Sequence, residues 1–165
     1  MNSTRTADFL TPRNHAHALF RDAVLDLVDH ADYMRPLVNS GRLSTPATYP
    51  MPQAPDPSDL PLRTRPGAPL CDAPTDEGWL SDLIGSDWSL LALNCVSPDI
   101  QANGVSPRTV TLEAEDASLL AERYLGEMPR AIYLFRPDQH IAGRWIETER
   151  TALENCLEAA LGGKV

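Results

Sequence analysis

A block of proline lies in the middle of this sequence and sets the strongest limit on its fold. Residues 42–76 hold nine of the chain's 15 prolines. Because proline lacks a backbone N–H and fixes φ, regular helix or sheet cannot continue through this block. An unstructured loop of this length is unusual inside a compact domain. The block is therefore either disordered or an extended strap laid over another surface.

The apolar side chains of the block favour the strap, because a solvated linker would not need them. They are Tyr49, Met51, Leu60, Leu62 and Leu70. We predict three regions: a helical segment at 1–41, a proline-rich strap at 42–77 and a folded domain at 78–165.

The segment before the strap has the pattern of an amphipathic helix. Thr11 can cap it, and Pro12 suits its first turn. Apolar residues then follow the i, i+3, i+4, i+7 spacing of one helix face. They are Ala16, Leu19, Phe20, Ala23, Val24, Leu27 and Val28. We expect a break near His30 and a short second helix that ends at Gly41.

The residues after the strap predict three further helices. The first has apolar residues from Trp79 to Ile84 and ends at Gly85. The second is capped by Asp116 and ends at Gly126. The last has one apolar face between 153 and 161 and ends at 162–163.

Four strands are predicted among these helices, at 88–93, 109–112, 131–135 and 141–145, with a loop over 95–107. The strands at 88–93 and 131–135 are almost continuously apolar, which is typical of strands buried on both faces. The strand at 141–145 alternates and should have two unlike faces. Together these elements predict an α/β domain.

The best-defined local feature is the turn Arg136-Pro137-Asp138-Gln139-His140 between the last two strands. A type I turn followed by a left-handed residue prefers glycine at that residue. This sequence has Gln139 there, and a positive φ at Gln139 costs roughly 1–2 kcal/mol.

The charge balance argues against nucleic acid and membrane partners. The formal net charge is -9 and the sequence pI is about 4.8, so the surface repels phosphates and acidic headgroups. No segment approaches the roughly 20 apolar residues of a membrane helix. The first residues lack the apolar core of a signal peptide. We expect a cytoplasmic protein.

Cysteine and histidine spacing gives neither a disulfide framework nor a metal site. Cys71, Cys95 and Cys156 are an odd number without a C-x-x-C motif. No histidine lies near a cysteine or a second acidic residue at zinc-ligand spacing. His15 and His17 are two residues apart on a helix and point to different sides.

Cys95 is the sharpest candidate for chemistry, because it follows the strand at 88–93. A thiolate at a helix N-terminus in that place would be acidified and nucleophilic. The alternative interpretation is a half-buried free cysteine without a resolving partner, and we favour it.

Two other groups also have a functional and a structural interpretation. Charged residues near the turn could form an anion or acid–base site, but we favour a solvated hairpin end with Asp138 bonding its own turn. That group is Arg136, Asp138, His140 and Arg144. Three tryptophans could stack an aromatic ligand, but their apolar surroundings favour core or interface anchors. They are Trp79, Trp88 and Trp145.

The order of strands and helices resembles a thioredoxin-like fold. In that fold a proline precedes the third strand, and Pro129 stands in the matching place, two residues before Ala131. The redox motif would follow the first strand. This chain has Asn94-Cys95-Val96-Ser97-Pro98 there, so only the first cysteine of a pair is present.

Six segments, taken in order, resemble the C-terminal part of the FAD-dependent aromatic hydroxylases, such as 3-(3-hydroxyphenyl)propionate hydroxylase and the phenol hydroxylases. They are residues 7–12, 19–25, 37–44, 66–69, 72–74 and 134–145. The resemblance implies that residues from about 78 onward form a redox-inactive thioredoxin-like domain. It also implies that residues 7–40 continue the catalytic part of such an enzyme.

The chain departs from the family in lacking its flavin motifs. It has neither the G-x-G-x-x-G turn of a dinucleotide-binding unit nor the family's later Gly-Asp motif, and both lie upstream of the matching region. The resemblance therefore implies FAD and NAD(P)H for a parent enzyme. It implies no catalytic, cofactor-binding or metal residue in this chain, which we expect to be inactive alone.

Three functions follow as hypotheses. The first is a non-catalytic accessory domain of an FAD-dependent aromatic monooxygenase, for stability or subunit contacts, with a flavin-binding catalytic domain or subunit as its partner. The second is a thiol-redox protein that uses Cys95. The third is a homodimerisation module that uses the N-terminal helix.

Overall fold

A computed structural model describes residues 11–28, 47–51, 54–147 and 149–162. The chain divides into two compact units, Met1–Pro46 and Ala47–Val165. No helix among the described residues is long and apolar enough to cross a membrane.

The first unit contains helix α1, His15–Val28. The His17 N–H donates to Asn14 Oδ1 at 2.9 Å, which is the bond of an N-cap. Asn14 therefore caps the helix, and the prediction of Thr11 as its cap is wrong. The break near His30 and the helix ending at Gly41 lie outside the described residues.

The second unit is mixed α/β. A short antiparallel pair, β1 (Pro74–Thr75) and β2 (Gly78–Trp79), precedes the main sheet. The main sheet has four strands: β3 Ser89–Leu93, β4 Arg108–Leu112, β5 Ala131–Phe135 and β6 Ile141–Trp145. Its order is β4-β3-β5-β6, with β3 and β4 parallel and the other pairs antiparallel.

Four helical segments flank these strands. They are a 3-10 turn at Leu62–Thr64, α2 at Leu80–Ile84, α3 at Leu119–Tyr124 and α4 at Arg150–Ala160. The predicted ends at Gly85 and Gly126 are confirmed, because both glycines have positive φ, at 67° and 60°. Such a conformation suits glycine, which has no Cβ to clash.

The N-cap of α3 differs from its prediction. Ser118 Oγ accepts a hydrogen bond from the Ala121 N–H at 3.1 Å, three residues into the helix. Asp116 lies two residues too early for this bond. Serine and aspartate are both favourable N-cap residues, so the sequence alone could not decide between Ser118 and Asp116.

The core lies on both sides of β3 and β5, as their continuous apolar runs predict. Every residue of both strands is buried. One face of the sheet forms a cluster around Leu91, Tyr133 and Phe135. The other face forms a second cluster around Leu90 and Leu134, which α4 covers with Leu153 and Leu157. The sheet is therefore a layer between two apolar surfaces.

Strand β6 does not have the two unlike faces that its alternation predicts. All five of its residues are buried, since α4 packs on Ala142 and Trp145 and the strap holds Arg144. The strap also pairs with the outer edge of the strand. The Gly67 N–H donates to Ile141 O at 2.7 Å, and the Ile141 N–H donates to Ala68 O at 2.9 Å. Farther along, the Arg144 N–H donates to Pro55 O at 3.1 Å.

Candidate functional site

The hairpin between β5 and β6 has the backbone that its sequence predicts. Gln139 has a φ of 60°. Its side chain Nε2 donates to Ser81 O at 3.0 Å and to Gly85 O at 2.9 Å. These carbonyls belong to the C-terminal end of α2, so Gln139 ties the hairpin to that helix and offsets its own backbone strain.

Gln139→Gly should therefore destabilise the protein despite relieving the strained φ. Glycine recovers roughly 1–2 kcal/mol of backbone strain, but it removes two hydrogen bonds worth about 1 kcal/mol each. It also adds roughly 1 kcal/mol of backbone entropy to the unfolded chain. We expect a net loss of about 1 kcal/mol in urea unfolding. A gain in stability would show that the two side-chain bonds contribute little.

Asp138 bonds its own turn, as the structural interpretation of this hairpin predicts. Its carboxylate pairs with Arg136 Nη2 at 2.8 Å and accepts the His140 N–H at 3.2 Å. The Tyr49 ring lies 4.9 Å from the His140 ring, centroid to centroid. These contacts build a partly solvated hairpin end.

Arg144 does not belong to this group, although the sequence places it close by. Its side chain is 2% exposed. Arg144 Nε donates to Asp56 Oδ1 at 2.6 Å, and Nη1 donates to Pro61 O at 2.6 Å. We call this arrangement the Arg144 latch. It holds the strap against β6, and the expectation of a solvated Arg144 is wrong.

Cys95 lies just beyond the end of β3, beside a cleft of about 540 Å³. The residues lining the cleft come from the carboxyl ends of β3 and β4. They are Asn94, Cys95, Val96, Thr111, Leu112, Glu113, Ala114 and Glu115. Asn94, with a φ of 54°, accepts the Ala114 N–H at 2.7 Å and donates to Pro129 O at 3.1 Å. Asn94 therefore ties the ends of three strands together.

The surroundings of Cys95 do not activate its thiol. Burial raises the pKa of Cys95 above its ordinary value, and the opposing effects of Arg130 and the Leu93 backbone are smaller. Residues 94–107 form no helix, so no helix N-terminus acidifies the sulfur. The three cysteines Cys71, Cys95 and Cys156 are all free.

We expect Cys95 to react more slowly with iodoacetamide at neutral pH than a free cysteine does. A raised pKa leaves less thiolate, and the thiolate is the nucleophile. The rate should rise with pH through and beyond the ordinary thiol range. Mass spectrometry of a C71S/C156S variant would follow this single site. Full labelling at pH 6 would show an activated thiol and restore the redox hypothesis.

The other candidates also take definite places. Trp145 is buried and packs in the core, whereas Trp79 is 54% exposed and is not a core residue. Trp88 packs at the edge of the second cluster. His15 and His17 are exposed on α1. Within the described ranges, no group of His, Cys, Asp and Glu is arranged to hold a metal.

The described residues do not fit FAD. A dinucleotide-binding unit needs a glycine-rich turn that leads from a strand into a helix N-terminus. Residues 94–98, which follow β3, contain no glycine and start no helix. Glu113 and Glu115 border the nearby cleft, and their carboxylates repel a pyrophosphate.

Comparison with known proteins gives one structural match. No protein-family model matches the chain, and no curated protein matches it. Among solved structures, aklavinone-11 hydroxylase, in a ternary complex with FAD and aklavinone, aligns with 98% of this chain at 21% identity and a TM-score of 0.49. The alignment covers 38% of the hydroxylase chain, so this chain spans little more than a third of that protein's length.

Proposed function

We propose that this chain is a non-catalytic C-terminal accessory region of an FAD-dependent aromatic-ring monooxygenase. The observation that carries the proposal is the order of its elements. From β3 onward the chain runs strand, strand, helix, strand, strand, helix, in a sheet of order β4-β3-β5-β6. This order supports a thioredoxin-like fold without its redox chemistry, as the sequence resemblance to the hydroxylases implies.

The surface of α1 supports contact with a catalytic partner. Its apolar stripe, which we define as Ala16, Leu19, Phe20, Ala23 and Leu27, is exposed along its length. Leu19 and Phe20 are 58% and 60% exposed. An exposed apolar stripe of this kind marks an interaction site in soluble proteins. Under the proposal, its partner is the flavin-binding catalytic domain or subunit.

The cofactors belong to that partner under the proposal. FAD and NAD(P)H would be bound by the catalytic part, because the described residues of this chain do not fit FAD. The contribution of this chain would be to the stability of the enzyme or to its subunit contacts.

A reconstitution experiment tests the proposal. The catalytic part of a phenol hydroxylase, cut before its own C-terminal region, would be co-expressed with this chain. We expect co-purification and better retention of FAD by the complex than by the cut enzyme. Stoichiometric binding of FAD by this chain alone would refute the accessory role, and so would failure to improve FAD retention.

The α1 surface gives this experiment a matched control. F20E/L27E places charges in the apolar stripe and should abolish co-purification. Leu25→Glu changes a leucine that is 42% exposed but lies on the other side of the helix, since 100° separates successive residues. It should leave the complex intact. Equal loss in both variants would show that the stripe is not the contact.

A further inference from the structure

The outer side of β4 is unpaired within the described part of the chain. Strand β4 is at the end of the sheet, and no strand in the described part of the chain pairs with its outer side. The Arg108 N–H donates to Trp88 O at 3.0 Å, and Leu112 O accepts the Asn94 N–H at 3.1 Å. Because alternate residues of a strand face the same neighbour, Thr109 and Thr111 direct their N–H and C=O groups outward.

The cleft beside Cys95 adjoins this open edge. Thr111 and Leu112 belong both to β4 and to the lining of the cleft. Val96, which also lines the cleft, is 83% exposed. A strand that paired with β4 would therefore reach the cleft of about 540 Å³, where the Val96 side chain is exposed. Backbone pairing combined with side-chain pockets is how sheet edges recognise extended peptides.

The charged residues that line the cleft indicate which kind of peptide would bind there. Glu113 and Glu115 both line it, and both are exposed. Arg130, which acts on the Cys95 thiol, is not among the lining residues. The lining residues therefore include two carboxylates and no cationic side chain, although Arg130 acts from nearby, and a positively charged side chain complements the two carboxylates. A second copy of this chain suits it less well, because each copy carries a formal net charge of -9.

We propose that the β4 edge and its cleft form a docking site for an extended, lysine- or arginine-bearing segment of a partner protein. The segment pairs with the outward backbone groups of Thr109 and Thr111. Its basic side chain enters the cleft and meets Glu113 and Glu115. This site is separate from the α1 stripe, and it does not depend on the accessory role proposed above.

Binding of two end-capped, fluorescein-labelled peptides to the full chain tests this site. The first is Val-Lys-Val-Lys-Val and the second is Val-Glu-Val-Glu-Val. We expect the lysine peptide to bind about tenfold more tightly at low salt, an advantage that added salt should diminish. Amide NMR shifts should change first at Thr109, Thr111 and Glu113. Equal affinity of the two peptides, no binding, or shifts confined to another surface would overturn the proposal.

Two sets of variants separate the backbone contribution from the charge contribution. Thr111→Pro removes an outward N–H, which an edge strand tolerates, whereas Thr111→Ala keeps it. The first should weaken binding about tenfold, since it removes a hydrogen bond and a pairing surface, and the second should not. E113K/E115K should reverse the peptide preference even if the proline variant folds poorly. An unchanged peptide preference in E113K/E115K would exclude the cleft as the binding site. A dimer in sedimentation would show that a second copy of this chain occupies the site instead.

Discussion

Asp56→Ala is expected to lower the free energy of unfolding by about 3 kcal/mol, because it leaves a buried cation without a counter-ion. The Arg144 side chain is 2% exposed, whereas that of Asp56 is 44% exposed. Removing the carboxylate therefore leaves the guanidinium buried beside the Tyr133 hydroxyl without its counter-ion. Pro61 O still accepts one of its hydrogen bonds, so the loss stays at the low end of the range for broken buried pairs.

The reciprocal change should be milder, which makes it a useful control. Arg144→Met leaves a half-exposed carboxylate that water can solvate and fills much of the buried volume with an apolar side chain. Pro61 O keeps its hydrogen bonds from the Thr64 N–H and hydroxyl, so we expect a loss of about 1–2 kcal/mol, mainly from the lost hydrogen bonds of the guanidinium. Urea unfolding of both variants would measure the difference. If Asp56→Ala proved no more damaging than Arg144→Met, the guanidinium would have to be solvated.

Gly143→Ala should cost about 1–3 kcal/mol, the usual range for overpacking a filled core. A Cβ built on Gly143 would lie 2.7 Å from Trp145 Cη2 and 2.8 Å from Cys156 Sγ. Both atoms lie between β6 and α4, so one of them must move. The backbone itself is not the obstacle, since Gly143 is not among the glycines with positive φ.

A second substitution shows whether the stability lost in Gly143→Ala comes from steric crowding or from the backbone conformation. Cys156→Ala removes the sulfur contact and should restore part of the stability lost in Gly143→Ala. Thermal unfolding of the single and double variants would give this coupling, with Cys156→Ala alone as the reference. Strict additivity of the two losses would contradict a clash with the Cys156 sulfur.

Sequence patterns predicted the central elements because local composition decides them. The apolar runs of β3 and β5 need no partner information to be identified as buried strands. The turn pattern pointed to position 139 as the place for a left-handed residue, and Gln139 takes that conformation although it is not glycine. Sequence patterns did not predict that Gln139 caps α2 through its side chain, because Ser81 and Gly85 are more than 50 residues away.

The wrong predictions share one physical cause, which is contact between distant parts of the chain. Alternation along β6 predicts two unlike faces, but both are buried, and the strap binds Arg144 from a segment more than 80 residues earlier. Arg144 was instead expected among the solvated charges of the hairpin end. The cleft was not predicted either, because it forms only where the parallel strands β3 and β4 end side by side. Glutamates that follow a strand do not by themselves predict a binding site.

The strap along β6 also limits how this sheet can grow. Edge-to-edge polymerisation requires two open edges on every unit, so that each added copy exposes a new one. Among the described residues, the strap occupies the β6 edge through Gly67, Ala68 and Pro55, whereas no strand pairs with the outer side of β4. Joining two copies by their β4 edges would consume both open edges and end growth. The Arg144 latch therefore helps to keep the β6 edge covered. Loosening the latch would expose that edge, and fibre formation requires two exposed edges on each copy.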